Sequence, residues 1–255
     1  MIMKKVFDVI FILLSISLFS QAKSLKNNQL LNKKKTAAQV VKNAPESSTI
    51  VLNENIPLLI PQKKNDNYGY INQNGKFVIA PTYHIAMFFG EDCNLLNSPN
   101  PKAKKFGIAK FATVEKNNIS YRIDQTGKVV YQYKYADLGR CQSEFTKQFF
   151  HAYILNGMYG IIEDSKFNNP ADRSQFKIYP KYQYLHILEG DDLSNPMIVA
   201  SHKDKFGVID VNNNIIIPFE YADIKRNYSW KLGKMFEVTK DDINYYYIDS
   251  GNKSY

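Results

Sequence analysis

The stretch YGYINQNGKFVIAPTY at residues 68–83 has a counterpart, FGVIDVNNNIIIPFEY, at residues 206–221. Both begin with an aromatic residue and glycine, place isoleucine two residues after that glycine, and place tyrosine fourteen residues after it. At the centre of the stretch, one copy has Gly75 and the other has Asn213. Glycine and asparagine most readily adopt the positive φ angles of a tight hairpin turn. The two stretches therefore predict the same β-hairpin, in a chain built from repeats.

Further copies of this hairpin follow from the same spacing. Residues 120–130 form a copy whose closing tyrosine, the marker tyrosine, is Tyr135. Residues 159–162 begin another copy, which resumes at residues 177–182 after an insertion of eight residues. A truncated copy occupies residues 245–251. The equivalent isoleucines are spaced by 52, 39, 47 and 39 residues; they are Ile71, Ile123, Ile162, Ile209 and Ile248.

This pattern resembles the WG repeat, a β-repeat family whose units begin with Trp-Gly and recur about every 35–50 residues. The resemblance covers roughly residues 56–251 but departs from the family at the tryptophan and, in two copies, at the glycine. The residues in place of tryptophan are Tyr68, Ser120, Tyr159, Phe206 and Tyr245, and those in place of glycine are Tyr121 and Tyr246. The resemblance implies an extracytoplasmic β-repeat protein and no particular reaction.

Each unit is expected to contribute three strands: the aromatic-glycine strand, the strand that ends at the marker tyrosine, and an apolar run before the next unit. The apolar runs lie at residues 56–60, 106–114, 151–155, 197–200 and 234–238. Because such a unit cannot bury its apolar face alone, the units are expected to stack. The predicted fold is all-β, a tandem array of about four three-stranded antiparallel β-repeats, propeller-like or solenoid-like. An open array and a closed array both fit the sequence.

The first 49 residues differ from the repeats. Residues 1–22 combine two early lysines, an apolar stretch and a small-x-small exit at Ala22, which is the layout of a cleaved signal peptide. Residues 23–49 form a basic leader, flexible or with a short helix, that carries +5 of the net charge of +9; residues 50–255 carry +3. A nucleic-acid-binding protein is expected to carry its basic stripe on the folded body. We therefore expect a periplasmic or secreted protein that binds no nucleic acid and has no membrane span after cleavage.

The sequence contains none of the common catalytic motifs. It has no Gly-x-Ser-x-Gly, His-Glu-x-x-His, phosphate-binding glycine loop or Cys-x-x-Cys, and its four histidines share no metal-ligand spacing. The tyrosines and phenylalanines recur at strand and repeat spacing, which favours core packing over ligand stacking. We expect no cofactor, no metal and no enzymatic activity. Two carboxylates brought together by the fold would nevertheless suffice for a glycoside hydrolase.

Two acidic clusters begin seven to eight residues after the marker tyrosines Tyr83 and Tyr182, in equivalent loops. Solvated loop tips, a rim for a basic protein partner and a calcium site all fit this placement. The candidate binding residues under the partner hypothesis are Glu91, Asp92, Glu189, Asp191 and Asp192.

The two cysteines of the chain also lie in equivalent connections. Cys93 follows Tyr83 by ten residues and Cys141 follows Tyr135 by six. Export into an oxidising compartment favours a disulfide between them, and two separate thiols are the alternative.

These observations favour an exported, non-catalytic protein that binds a protein partner through a β-repeat surface. An immunity or inhibitor protein that sequesters a secreted toxin is one form of this function. The alternatives are a hydrolase that acts on envelope polysaccharide through paired carboxylates, and a structural spacer.

Overall fold

The computed structural model describes residues 55–141, 148–168 and 173–255. The predicted signal peptide at residues 1–22 and the basic leader at residues 23–49 lie outside the described residues and stay predictions. Within the described residues, none of the helices has the length and apolar character that a bilayer crossing requires.

The described strands form five antiparallel sheets, numbered here in chain order, which confirms an all-β array of tandem repeats. The first sheet contains β1 (Ile60–Lys64), β2 (Asn67–Ile71) and β3 (Phe77–Tyr83). The second contains β4 (Ile85–Phe89), β5 (Ala112–Lys116), β6 (Ile119–Ile123) and β7 (Val129–Gln132). The third contains β8 (Phe150–Leu155), β9 (Met158–Glu163) and β10 (Phe176–Tyr182). The fourth contains β11 (Tyr184–Ile187), β12 (Ile198–His202), β13 (Lys205–Ile209) and β14 (Ile215–Tyr221). The fifth contains β15 (Asp223–Ile224), β16 (Met235–Thr239) and β17 (Tyr246–Asp249).

The helices of the described residues are short and lie in the connections. The α-helices are α1 (Cys93–Leu96), α2 (Pro101–Lys104) and α3 (Ser229–Gly233). The 3₁₀ helices are Tyr135–Asp137, Asp164–Lys166 and Arg173–Gln175.

The structure adds strands that the sequence analysis did not predict and moves two others. The added strands are β4, β11 and β15. Each is separated by one residue from the strand that ends at a marker tyrosine (β3, β10 or β14), so the chain passes into the next sheet without a turn. The apolar runs predicted as strands at residues 56–60 and 106–114 were misplaced, because β1 begins at Ile60 and β5 at Ala112. In both runs, packing explains the apolar pattern: Ile56 is buried outside any strand, and Phe106 packs on Phe111 with ring centroids 5.8 Å apart.

One hairpin in each of four sheets is closed by a two-residue turn; these hairpins are β1–β2, β5–β6, β8–β9 and β12–β13. Both turn residues have positive φ, the geometry that follows the natural twist of the two strands. The turn pairs are Asn65-Asp66, Asn117-Asn118, Asn156-Gly157 and Lys203-Asp204.

The next hairpin along the chain is the repeated stretch itself. In the fourth sheet, the Asp210 carboxylate accepts the amide N–H groups of Asn212 at 2.9 Å and Asn214 at 2.8 Å, and Asn213 has φ 67°. The same pair of hydrogen bonds forms at Asn72, Asp124 and Asp249. The predicted positive φ at Gly75 and Asn213 is confirmed. In the truncated copy, Asn252 rather than Gly251 takes this position.

The recurring spacing of glycine and marker tyrosine comes from a bulge between the two strands. Phe206 pairs with Tyr221 and Val208 with Ile217, so β14 holds two extra residues opposite Gly207. A Cβ atom at Gly207 would lie 2.7 Å from the Ile217 carbonyl oxygen. Gly69 and Gly160 face the same bulge in their own sheets. A Cβ atom at either glycine would lie 2.4 Å from the equivalent carbonyl oxygen. Glycine is therefore required by close backbone approach.

The second sheet lacks this bulge. Tyr121 replaces the glycine, and it pairs with Gln132 next to the regular pair Arg122–Tyr131. The expected equivalence of Tyr135 to the other marker tyrosines is wrong, because Tyr135 is 95% exposed and lies in a 3₁₀ helix. Without the two extra residues, the strand ends before the chain reaches Tyr135.

Shared hydrophobic clusters show how the sheets stack. One cluster joins the first and second sheets, another the third and fourth, and another the fourth and fifth. In the fourth cluster, Met235 of the fifth sheet is buried with Ile60 and Ile71 of the first sheet and Phe88 of the second. The last sheet therefore packs against the first two.

Marker tyrosines link the first, third and fourth sheets to the turn of the sheet that follows each of them. Their hydroxyl groups donate to the turn residue that has positive φ. The pairs are Tyr83 to the Gly127 carbonyl at 3.4 Å, Tyr182 to Asn213 Oδ1 at 2.8 Å and Tyr221 to Asn252 Oδ1 at 2.6 Å.

Candidate functional site

The first acidic loop is held in place by hydrogen bonds. Asp92 caps α1 by accepting the amide N–H groups of Asn94 at 3.0 Å and Leu95 at 3.2 Å, and its other oxygen accepts the Tyr133 hydroxyl. Glu91 beside it is exposed. Asp92 thus fixes the loop, and Glu91 is presented to solvent.

The second acidic loop is paired with lysines of the α3 segment. Glu189 accepts Lys231 Nζ at 2.9 Å and Asp191 accepts Lys234 Nζ at 2.7 Å. The Lys234 ammonium also lowers the pKa of the Asp191 carboxyl. Asp192 accepts two amide N–H groups of its own loop. These partners reduce the negative charge that the loop presents to solvent.

Both acidic loops lie near the same short helix, α3. A Cβ atom at Gly90 would lie 3.6 Å from Leu232, and one at Gly190 would lie 3.0 Å from the Trp230 Nε1 atom. The first loop therefore lies beside Leu232 of α3, and the second lies beside Trp230.

A disulfide joins the two cysteines of the chain. Cys93 begins α1 and Cys141 follows the 3₁₀ helix after β7, with 5.2 Å between their Cα atoms. The bond ties together the connections that follow the first and last strands of the second sheet.

A groove runs along the seam where the fifth sheet packs against the first two, and the sequence analysis did not identify it. Two cavities of about 160 and 340 Å³ share the side chains of Tyr68, Glu237 and Tyr247. We call these two cavities together the seam groove. Tyr68 comes from β2, whereas Glu237 and Tyr247 come from β16 and β17. The groove therefore exists only because the first and fifth sheets meet.

Glu237 is the carboxyl group common to both cavities. Its Oε2 atom accepts the Asn227 side-chain amide at 2.6 Å. Burial raises the pKa of Glu237, and the nearby Lys225 ammonium acts in the opposite direction. A partly desolvated carboxyl group forms stronger hydrogen bonds than one in water, so Glu237 is suited to accept a ligand's donor.

The two cavities differ in character. The larger one is lined by apolar side chains, including Ile85, Met87 and Tyr228, which are 48%, 43% and 56% exposed. The smaller one is lined by polar side chains that include Gln62 and Lys225. The seam groove thus offers an apolar surface at one end and a polar pocket at the other.

A family model described as WG containing repeat matches residues 68–94 and 206–229. The chain is a WG repeat-containing protein. Both matched segments of this WG repeat protein have the glycine, the bulge and a buried marker tyrosine, Tyr83 or Tyr221. No curated protein and no solved structure matches the chain.

Within residues 55–141, 148–168 and 173–255 of the WG repeat protein, no three His, Cys, Asp or Glu side chains are grouped so that they could hold a metal ion. The seam groove was missed because its walls come from different repeats, whose distance in space the repeat pattern does not give. One local signal was present: Glu237 places a carboxyl group among the apolar residues Met235, Phe236 and Val238 of β16.

Proposed function

We propose that this WG repeat protein is an exported, non-catalytic binding protein whose protein partner docks on the larger cavity of the seam groove. Ile85, Met87 and Tyr228 carry the proposal, because they line one concave surface and are about half exposed. Grouped exposed apolar side chains mark interaction sites, and tyrosine is enriched among the residues that dominate binding energy. Sequestration of a secreted toxin by an immunity or inhibitor protein is one function of this kind.

The acidic loops have a supporting role in this proposal. Because Glu189 and Asp191 are already paired with Lys231 and Lys234, they add little free charge for a basic partner. Glu91 remains the exposed carboxylate of the first loop. We therefore place the binding energy in the seam groove and expect the acidic loops to affect mainly the rate of association.

Export is supported by the disulfide and by the signal-like sequence at residues 1–22, because disulfides persist in oxidising compartments. The test is the mass of the protein recovered from fractionated cells. A mature chain that begins at Lys23 outside the cytoplasm is expected, and a full-length chain in the inner membrane would contradict export.

A hydrolase is the second candidate, because Glu237 is partly buried and the nearby Asp223 contributes to its raised pKa. Asp223, however, accepts the Tyr245 hydroxyl at 2.9 Å and is paired with Arg226, and it lines neither cavity. Among the residues that the structure describes, no carboxylate other than Glu237 lines either cavity, so binding is the better-supported function. Oligosaccharide cleavage that is abolished by Glu237→Gln would establish the enzyme instead.

Site-specific cross-linking tests the docking surface. A photoreactive amino acid replaces Met87 in the full chain, in the cells that produce it, and Ile154 is replaced as the matched control. Ile154 is also about half exposed, at 55%, but it lies in the third sheet, away from the groove. A discrete protein adduct at position 87 and none at position 154 is expected. The same adducts at both positions would contradict a specific surface.

A further inference from the structure

The third sheet lacks a strand that three other sheets have. In the second, fourth and fifth sheets, the added strands β4, β11 and β15 pair with β5, β12 and β16. Within the described residues, β8 has no such neighbour and forms an edge of the third sheet. The strand β1 is also an edge, but it contains Pro61 and two lysines, which disfavour pairing with a further strand. Since β8 contains no proline and no lysine, its edge is open to a further strand.

The backbone of β8 presents unpaired groups at this edge. Asp164 donates its amide to the Phe149 carbonyl at 2.9 Å, so every second residue from Phe149 onward pairs with β9. The residues between them, Phe150, Ala152 and Ile154, direct their N–H and C=O groups away from β9. In the described part of the chain, no backbone group is hydrogen-bonded to these three residues on that side.

In the three sheets that have the added strand, one equivalent carbonyl group is always occupied. The amide N–H of the residue after the marker tyrosine donates to it. The pairs are His84 to Glu115 at 2.8 Å, Gln183 to Ser201 at 2.9 Å and Ala222 to Thr239 at 2.8 Å. Glu115 and Ser201 lie two residues before the two-residue turn of their hairpin, and Ile154 has the same position in β8. The Ile154 carbonyl is therefore the acceptor that an added strand would occupy.

The chain contains a segment whose sequence matches an added strand. The sequence YADLGR at residues 135–140 closely resembles YADIKR at residues 221–226. In the second of these segments, Asp223 and Ile224 form β15. Residues 136–140 therefore have the sequence of the strand that the third sheet lacks.

The length of the connection also fits. Leu138 precedes Phe150 of β8 by twelve residues, just as Leu185 of β11 precedes Met197 by twelve. Phe150 and Met197 are equivalent, because each lies four residues before the acceptor position defined above. The chain between residues 138 and 150 is thus as long as the one that joins β11 to β12.

In the structure, this segment lies on the second sheet instead. Tyr135–Asp137 form a 3₁₀ helix, and the Asp137 carboxylate accepts the Asn100 side-chain amide at 2.7 Å. The Gly139 amide donates to the Asn94 carbonyl of α1 at 2.9 Å. The disulfide between Cys141 and Cys93 holds the end of the segment at the same helix. Because a 3₁₀ helix and a β-strand need different backbone angles, the segment cannot occupy both places at once.

We infer that the Cys93–Cys141 disulfide is a redox switch that decides whether residues 136–140 lie on the second sheet or pair with β8. Reduction releases Cys141 from α1. The Ala136 N–H then donates to the Ile154 carbonyl, and β8 replaces the hydrogen bonds that Asp137 and Gly139 give up. The added strand also covers Ile154, which is 55% exposed.

The reductant is the dithiol of a thiol–disulfide exchange protein. Both cysteines are exposed, so a thiolate can reach either Sγ atom. Its attack breaks the bond between Cys93 and Cys141 and forms a mixed disulfide, which the second thiolate of the reductant then breaks. Two electrons and two protons pass to the two cysteines, and the reductant leaves as a disulfide.

Amide hydrogen exchange followed by NMR tests the switch in the full-length body, first oxidised and then reduced with dithiothreitol. Exchange at Ile154 should slow by about five- to tenfold on reduction, the equivalent of one hydrogen bond. The Ser201 amide, at the equivalent position of the fourth sheet, is the control and should stay protected in both states. Equal exchange at Ile154 in the two states would overturn the inference. Loss of protection at Ser201 would also overturn it, because reduction would then unfold the body.

A proline variant identifies the strand that occupies β8. Ala136→Pro removes the N–H that should donate to Ile154, and within the described residues this N–H forms no hydrogen bond in the oxidised state. The variant should abolish the slowing at Ile154, whereas the matched control Ala136→Ser keeps the N–H and should retain it. Slowing in Ala136→Pro equal to wild type, or slowing that grows with protein concentration, would show another occupant and contradict the inference.

The switch and the proposed function can fail separately. Because the occupant of β8 belongs to the same chain, position 154 is expected to give no adduct with another protein in either redox state. Cross-linking at position 87 reports on the seam groove and does not depend on the exchange rates at Ile154.

Discussion

The second and fourth sheets contain aligned copies of the same hairpin, yet one has Tyr121 where the other has Gly207. In the fourth sheet, glycine allows β14 to bulge, and the longer strand reaches Tyr221, which is 2% exposed and donates to the turn of the fifth sheet. In the second sheet, β7 stays in register beside Tyr121, and Tyr135 is 95% exposed. Loss of one glycine thus accompanies loss of the bulge and of the buried tyrosine.

The second sheet has other supports. The buried Arg122 guanidinium donates to the carbonyl groups of Gly90 at 2.7 Å, Phe106 at 2.8 Å and Ile108 at 2.9 Å. The Cys93–Cys141 disulfide closes the same region. The copy without the glycine is therefore held by long connections fixed to the sheet, whereas the matched copies are held by the hairpin itself.

The largest expected effect comes from removing the disulfide. The bond spans 48 residues, and closing a loop of that size stabilises the folded state by about 4 kcal/mol in the chain-entropy treatment. Cys93→Ser combined with Cys141→Ser should lower the free energy of unfolding by about that amount in denaturant titrations. Reduced wild type is the control and should match the double variant. A loss below about 1 kcal/mol would show that the second sheet does not depend on the bond.

Glycine replacement in the fourth sheet should have the next largest effect. Gly207→Ala places a methyl group 2.7 Å from a backbone oxygen that cannot move without opening the bulge, and we expect a loss of about 3 kcal/mol. Gly90→Ala is the matched control, because its new methyl group would meet the Leu232 side chain at an ordinary 3.6 Å. Similar losses of unfolding free energy in the two variants would contradict the role given to the bulge.

The hairpins were predictable because their causes are local. Positive φ at Gly75 and Asn213 follows from residue type and spacing within one turn. The exposure of Tyr135 was not predictable from spacing alone, because that spacing holds only where a bulge lengthens the strand.

The seam groove and the partners of the acidic loops depend on contacts between distant repeats. Lys231 meets Glu189 across 42 residues of sequence. The repeat pattern predicts the order of the sheets along the chain, but it does not predict that the fifth sheet packs against the first. For this reason the sequence indicated the acidic loops and missed Glu237.

A smaller effect is expected from the hydrogen bonds between sheets. Tyr221→Phe removes the hydroxyl that donates to Asn252 and should cost about 1 kcal/mol of unfolding free energy. Tyr135→Phe removes a hydroxyl from a fully solvated ring and should leave stability unchanged. If both variants unfold like wild type, the marker tyrosines act only through their rings.

The meeting of the fifth sheet with the first two is the central claim, since the seam groove and the proposed function depend on it. Phe88 of β4 and Tyr247 of β17 touch across this seam with ring centroids 5.1 Å apart. A double-mutant cycle with Phe88→Leu and Tyr247→Leu measures their coupling by denaturant unfolding. The structure predicts a coupling energy of about 1 kcal/mol, as expected for an edge-to-face aromatic pair. Additive losses, with no coupling, would contradict the packing of the fifth sheet against the first two.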